Sequence, residues 1–213
     1  MRLVGKSWSK ESQESGSCGE ITLLHTSKAT SLHLPVLLRY FSLKRLCIRA
    51  INCFLNDKHM ECVSKMAQLE HLALDRAAIS DKGIGHLRGL NKLKSLTLGV
   101  NGWTSGSITG ACVESLTGMD QLRVLEIWHM ENAGAALDHL PKLTALDTLL
   151  LPRNDLKSTE LPELGKLGNM LKSLNISFCR ANEPDIIKCL SQLPNLTALD
   201  ISYDSTHSSM PIC

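Results

Sequence analysis

One spacing recurs seven times in the 213 residues: Leu, two residues, Leu, one residue, then Leu or Ile. It starts at Leu43, Leu69, Leu93, Leu122, Leu146, Leu171 and Leu196, in steps of 26, 24, 29, 24, 25 and 25 residues. A degenerate copy, Ile21 with Leu24, lies 22 residues before the first clear one. Self-similarity at such a period is the mark of stacked units. The last two apolar positions of each unit are separated by one residue, so in a strand both point to one face while their neighbours point to the other. Six and three residues before the next unit stand further apolar pairs: Val63 and Met66, Leu87 and Leu90, Leu116 and Met119, Leu140 and Leu143, Leu190 and Leu193. Three-residue spacing suits a helical turn. Each unit therefore reads as a short strand with a helical return, and neither piece buries its apolar side except against the next copy.

With only eight aromatic residues, the core of such a stack is filled by aliphatic side chains. A net charge of +2, with Lys and Arg scattered along the chain, offers no basic stripe of the kind a phosphate backbone demands, so nucleic acid is not an expected partner. Nowhere do about eighteen apolar residues run together, and residues 1–20 contain no signal-peptide core. The expectation is a soluble cytoplasmic or otherwise intracellular protein that does not engage a membrane. Eight cysteines occur without a CxxC pair, which reads as reduced thiols. The terminal MPIC is no prenylation signal, because that chemistry needs Cys four places from the end.

LEHLALDRAAI, LKSLTLGVNGW, LDTLLLPRNDL and LKSLNISFCRA resemble the LxxLxLxxNxL or LxxLxLxxCxL signature of leucine-rich repeat proteins, clearly so over residues 43–206. ISDKGIGHLRGLNKLKSL looks like the TDxGLxxLxxL variety of bacterial and protozoan members, akin to the cysteine-containing subtype of F-box proteins. The resemblance implies an α/β solenoid, an arc or horseshoe with a parallel β-sheet on the concave face and short helices on the convex face. In that family the ninth position is usually a buried Asn or Cys that satisfies the backbone of the adjoining turn. Asn101, Asn154 and Cys179 fit; Ile51, Ala77, Met130 and Asp204 depart, so their turns need other partners. The reading divides the chain into residues 1–19, a flexible tail or partial cap, and 20–213, the repeat domain with about seven repeats and the degenerate one. The end of the chain reads as a frayed repeat, an oligomeric contact or a break in something longer.

No HExxH, GxSxG, P-loop or paired CxxC unit is present, so the chain is not expected to be an enzyme, and no metal or cofactor is implied. His59 and Cys62 in HMEC have one-face helical spacing, but a small buried thiol accounts for Cys62 and for its counterpart Cys189. LPVLLRYFSL at residues 34–43 looks like the start of an F-box, yet the first strand begins too soon for the rest of one. NIS at Asn175 and NLT at Asn195 match the glycosylation sequon but fall on expected strands. The long third repeat places its surplus in GVNGWTSGSITG, an outward loop in which Trp103 falls at a core position.

The second, third, fifth, seventh and eighth positions of each unit are free of packing duty and face outward. They carry three of the eight aromatics, Trp128, Phe178 and Tyr203, and many of the charges. Trp, Tyr and Arg are enriched at binding hot spots. The expected partner-contacting residues are Arg45, His71, Arg76, Trp128, His129, Arg153, Phe178 and Tyr203, with Trp128 and His129 foremost. A face of about seven strands offers roughly 500 Å² in projection, enough with its side chains for a protein or peptide partner. The function expected is a protein–protein interaction scaffold or adaptor. The alternatives are a structural spacer or oligomer subunit without a specific ligand, and a recognition fragment of a larger receptor or effector.

Overall fold

The computed structural model describes residues 2–3, 20–25, 42–50, 55–100, 108–179 and 182–202. Nine strands form one sheet in chain order: β1 Arg2–Leu3, β2 Glu20–His25, β3 Arg45–Ala50, β4 His71–Ala77, β5 Ser95–Val100, β6 Val124–Trp128, β7 Thr148–Leu150, β8 Ser173–Asn175 and β9 Ala198–Asp200. From β2 to β9 every neighbouring pair is parallel, whereas β1 joins β2 antiparallel. Parallel neighbours need a crossover. From β3 to β9 each crossover is one repeat, whose return holds a short helix or 3-10 segment: α1 Asp57–Val63, α2 Asp81–Gly85, α3 Gly134–Leu137, α4 Leu161–Leu164 and α5 Glu183–Leu190 among the described α-helices. This is the α/β solenoid arc that the spacing and the family resemblance imply.

Register places the second Leu of each unit beside its counterpart: Leu46, Leu72, Leu96, Leu125, Leu149, Leu174 and Leu199. All but Leu199 are at most 1% exposed. Burying a Leu side chain is worth about 1.5–3 kcal/mol, so this ladder and the parallel one through the sixth position form the spine of the core. The apolar pairs of the returns close it from the other side, with Val63, Leu87, Leu90, Leu116, Leu140 and Leu143 all buried. One return departs from the pattern. Before Leu171 the corresponding places are Gly165 and Gly168, the chain turns through Gly168 at φ 45°, and Leu164 and Leu167 fill the core instead. The degenerate N-terminal copy sits in a different frame from its spacing. Ile21 pairs with Leu46, so it occupies the fourth position of its unit and not the first.

Successive repeats are joined by a recurring backbone fork. The carbonyl of Lys44 accepts from the N–H groups of Glu70 and His71, that of Glu70 from Lys94 and Ser95, and so on to Lys172 with Thr197 and Ala198. Pro152 has no N–H to give, and β7 ends two residues before it. On the convex side a second ladder links the helix starts: Ser80 donates its N–H and hydroxyl to Asp57 (2.8 and 2.7 Å), and Thr109 donates likewise to Asp81 (2.8 and 2.6 Å). Gly83 is required at this seam, because a Cβ there would stand 2.3 Å from Asp57 Oδ1.

The ninth-position residues behave in two ways. Asn154, 2% exposed, accepts from the Met130 N–H and donates to the Ile127 carbonyl (2.7 Å), so it serves the turn of the preceding repeat. Cys179 donates its thiol to the Leu151 carbonyl at 3.4 Å. Where the position is apolar, as at Ala77 and Met130, the next N–H reaches back instead: Ala78 to the Leu55 carbonyl and Glu131 to that of Ile108. Ile51, Asn101 and Asp204 lie outside the described residues, as do Trp103 and nearly all of the F-box-like segment.

Asn154→Ala is expected to lower stability by about 2–3 kcal/mol, because it strands a buried donor and a buried acceptor. Urea denaturation checks this, and a loss under 0.5 kcal/mol would mean that the turn finds substitutes.

Candidate functional site

The concave face between β3 and β6 is hollowed. A recess of about 500 Å³ is floored by Cys47, Ala73, Thr97 and Gly99, and walled by charged and aromatic side chains. Its floor is low because these outward positions hold small residues, while Arg49 and Asp75, two places further along β3 and β4, and Trp128 on β6 stand above it. A shallower hollow of about 150 Å³ adjoins it beside Arg45 and His71 and shares Cys47, Ala73 and Thr97.

Five of the eight residues anticipated from sequence therefore gather around one trough: Arg76, Trp128 and His129 at the larger recess, Arg45 and His71 at the smaller. Arg153 and Phe178 form a separate pair, the guanidinium carbon 4.4 Å from the ring centroid. Tyr203 lies outside the described residues. Trp128 is 38% exposed, and its position is fixed by the indole N–H donating to Glu126 Oε1 at 2.6 Å. Thr97 donates to the other oxygen of Glu126 at 3.1 Å. Arg49 meets Asp75 across β3 and β4 at 2.9 Å. Glu126, Arg49 and Asp75 are the wall residues that the sequence reading did not select; small residues at consecutive outward positions were the signal that a hollow lay between them.

Four of the anticipated residues share a backbone state. Arg76, His129, Arg153 and Phe178, each at the eighth position of its unit, have φ of 60°, 55°, 59° and 57°. The left-handed region costs a residue with a Cβ roughly 1–3 kcal/mol, so it persists only where the surroundings impose it. Here the turn imposes it: the N–H groups of Arg153 and Phe178 still pair with the Ser177 and Ser202 carbonyls, while the following residue is swung into the core. At β4 the same twist is a bulge, since Asp75 pairs with Gly99 and Ala77 with Val100, passing over Arg76. The effect is to lift these side chains out along the rim of the face. Burial and the nearby Arg153 charge hold the His129 imidazole below its ordinary pKa, which favours its neutral form.

On the opposite rim Glu70 lies between Lys44 (3.0 Å) and Lys94 (2.7 Å). Hydrogen bonds from Lys94 and Lys44 push its carboxyl down to about 2. Elsewhere the chemistry is quiet. His59 Nδ1 accepts from the Asn56 N–H at 3.1 Å and so closes the start of α1. Burial pushes the Cys189 thiol up to about 11. Among the described residues no three His, Cys, Asp or Glu side chains converge as a metal site, and no helix is long and apolar enough to cross a membrane. Of the two sequons, Asn175 lies on β8 and donates its amide to Asp200, while Asn195 precedes β9 in a turn, not on a strand, and donates to the Asn169 carbonyl.

Two measurements follow from this geometry. His129→Gly removes the left-handed penalty from an exposed side chain, and is expected to leave stability unchanged or raise it by up to about 1 kcal/mol. A loss above 1 kcal/mol in urea would mean that His129 is held by packing. For Glu70 the depressed value means that its ion pairing stabilises the fold above its ordinary pKa of 4.5, and that this contribution disappears as pH falls toward 2. A Lys44→Ala, Lys94→Ala variant should show the Glu70 carboxyl titrating near its ordinary value by NMR.

The arc is shared with solved structures. Internalin C2 from Listeria monocytogenes superposes with a TM-score of 0.58 at 17% identity, over 86% of this chain and 80% of that one. A Bacteroides fragilis protein gives 0.58 at 18% identity, over 79% and 50%. TLR13, solved in complex with ssRNA13, gives 0.51 at 17% identity, over 86% of this chain and 32% of that one. No curated protein sequence matches the chain. At these identities the likeness is one of fold. The family model described as "Leucine-rich repeat region" matches residues 21–212, nearly the whole span of the stacked units, and the chain belongs to the leucine-rich repeat family.

Proposed function

We propose that the chain is a recognition module that holds a protein or peptide partner on its concave strand face, centred on the recess between β3 and β6. The observation that carries this reading is Trp128. A large aromatic side chain stands 38% exposed beside a hollow of about 500 Å³ and is held there by its hydrogen bond to Glu126. Indole groups placed in this way serve as anchors, and their truncation commonly costs an interface 2 kcal/mol or more. Arg76 and His129 line the same recess, Arg45 and His71 line the adjoining hollow, Arg153 and Phe178 form a further pair, and Tyr203 shares the eighth position in the sequence; together they are the proposed contact residues. The work of such a face is binding and not catalysis, as an adaptor or as the recognition part of a larger assembly. Ser80 followed by Asp81 is the Ser/Thr–Asp pair of the TDxGLxxL variety, and its two members reach to opposite neighbours, Ser80 to Asp57 and Asp81 to Thr109, which supports assigning that repeat to the variety.

A second reading has a specific observation in its favour. Leu199 and Ile201, 42% and 44% exposed on the β9 side, would suit end-to-end stacking of arcs. Sedimentation of the purified chain separates the two: a concentration-dependent series of oligomers that Leu199→Glu abolishes supports stacking.

For recognition, lysate of the source cells is passed over immobilised wild type and over a Trp128→Ala, Arg153→Ala variant of unchanged circular dichroism. A partner retained by wild type and depleted at least about 10-fold on the variant is the expected outcome. Equal retention would remove the concave face as the binding site.

A further inference from the structure

The charges on the concave face are unequally available. The carboxylates at the larger recess and on the opposite rim are already engaged: Glu70 by two lysines, Asp75 by Arg49, and Glu126 by Trp128 and Thr97. The guanidinium groups of the rim are not. Among the described residues Arg76 makes no side-chain hydrogen bond or ion pair, and Arg153 stacks on Phe178 without a hydrogen-bond acceptor for its N–H groups. The eighth-position line that carries them contains no carboxylate from Ala50 to Phe178. A basic partner would meet acceptors already in use, whereas an acidic one would meet free donors beside an apolar anchor. Charge-assisted bonds of guanidinium to carboxylate are among the stronger polar contacts.

Spacing sharpens this. Arg76 ends β4 and Arg153 follows β7, three strands away, which is about 14 Å at roughly 4.8 Å per strand. In an extended chain laid across the strands, residues i and i+4 share a face and stand about 13.5 Å apart at ~3.4 Å per residue, with i+2 between them. The part of the recess on β5 and β6, with Gly99 and Trp128, lies on the strands between the two arginines. Building on the concave-face reading above, we infer that the occupant is an extended acidic segment: two carboxylates four residues apart meet Arg76 and Arg153, and the apolar side chain midway enters the recess beside Trp128.

The test uses the full chain and three fluorescein-labelled 12-residue peptides in Gly-Ser flanks, with cores Glu-Ser-Leu-Ser-Glu, Lys-Ser-Leu-Ser-Lys and the scrambled Glu-Glu-Leu-Ser-Ser, followed by anisotropy at low salt. The spaced acidic peptide should bind at least about 10-fold tighter than the lysine peptide and about threefold tighter than the scrambled one. Arg76→Gln and Arg153→Gln should each weaken it about threefold, in the range of partly exposed ion pairs. Arg76→Gly, which keeps the left-handed turn comfortable, should act as Arg76→Gln does, while Lys58→Gln on the convex side changes nothing. Equal binding of acidic and basic peptides that still depends on Trp128 overturns the acidic occupant and leaves concave recognition standing. Acidic binding indifferent to both arginine variants, or no binding by any peptide, also overturns it, and the lysate comparison then judges the concave face on its own. Tighter binding of a 12-nucleotide oligouridylate than of the acidic peptide overturns it in favour of single-stranded nucleic acid.

Discussion

The stacking of one leucine per repeat against its counterparts, from Leu46 to Leu174, is the contact on which the rest of this molecule depends. A single strand-and-return unit of about 25 residues cannot enclose its apolar side, so each unit is stable only as a neighbour. Stacking also sets register. Because side chains alternate across a strand, a slip of one residue would turn every buried Leu outward, and the energetic penalty for that holds eight parallel strands in step. Once register is held, the identity of every outward residue is held with it, and the face becomes a grid whose columns are repeats and whose rows are positions.

The functional surface grows from that grid. Rows three, five and seven form the trough, and its depth varies with side-chain size along each row: small at Cys47, Ala73, Thr97 and Gly99, large where Trp128 stands. Cross-strand partners such as Arg49 with Asp75, and Lys44 and Lys94 with Glu70, tie adjacent columns together at the surface as the leucines do beneath it. These exposed pairs contribute little to stability individually. Their larger consequence is to consume carboxylates, so that the charge the face presents differs from the charge its composition suggests.

Much of this was legible in the residues. The Leu spacing is a packing requirement written at fixed intervals, which is why strands, returns and core fall where it places them, and why Arg76, Trp128 and His129 meet at one recess. The misses have physical causes. Ile21 with Leu24 matches the spacing in one frame, but only pairing with β3 decides which of its positions lines up with Leu46. The loss of Asn or Cys at Ala77 and Met130 gave no hint of its remedy, because that remedy is a backbone bond to another repeat's loop. The hollow itself depends on contrast between neighbouring columns 24 to 29 residues apart, and a reading along the chain does not register contrast across it.

The left-handed turn at the eighth position restricts the alphabet in which this surface can be rewritten. Side chains branched at Cβ are the least tolerant of positive φ, so Val, Ile and Thr are poor substitutes for Arg76, His129, Arg153 or Phe178 whatever the partner prefers. Divergence along that rim is channelled toward unbranched, amide or glycine residues. A lineage that needed a new ligand would find its freedom lower down, in the trough floor, where the extended strand backbone carries no left-handed restriction.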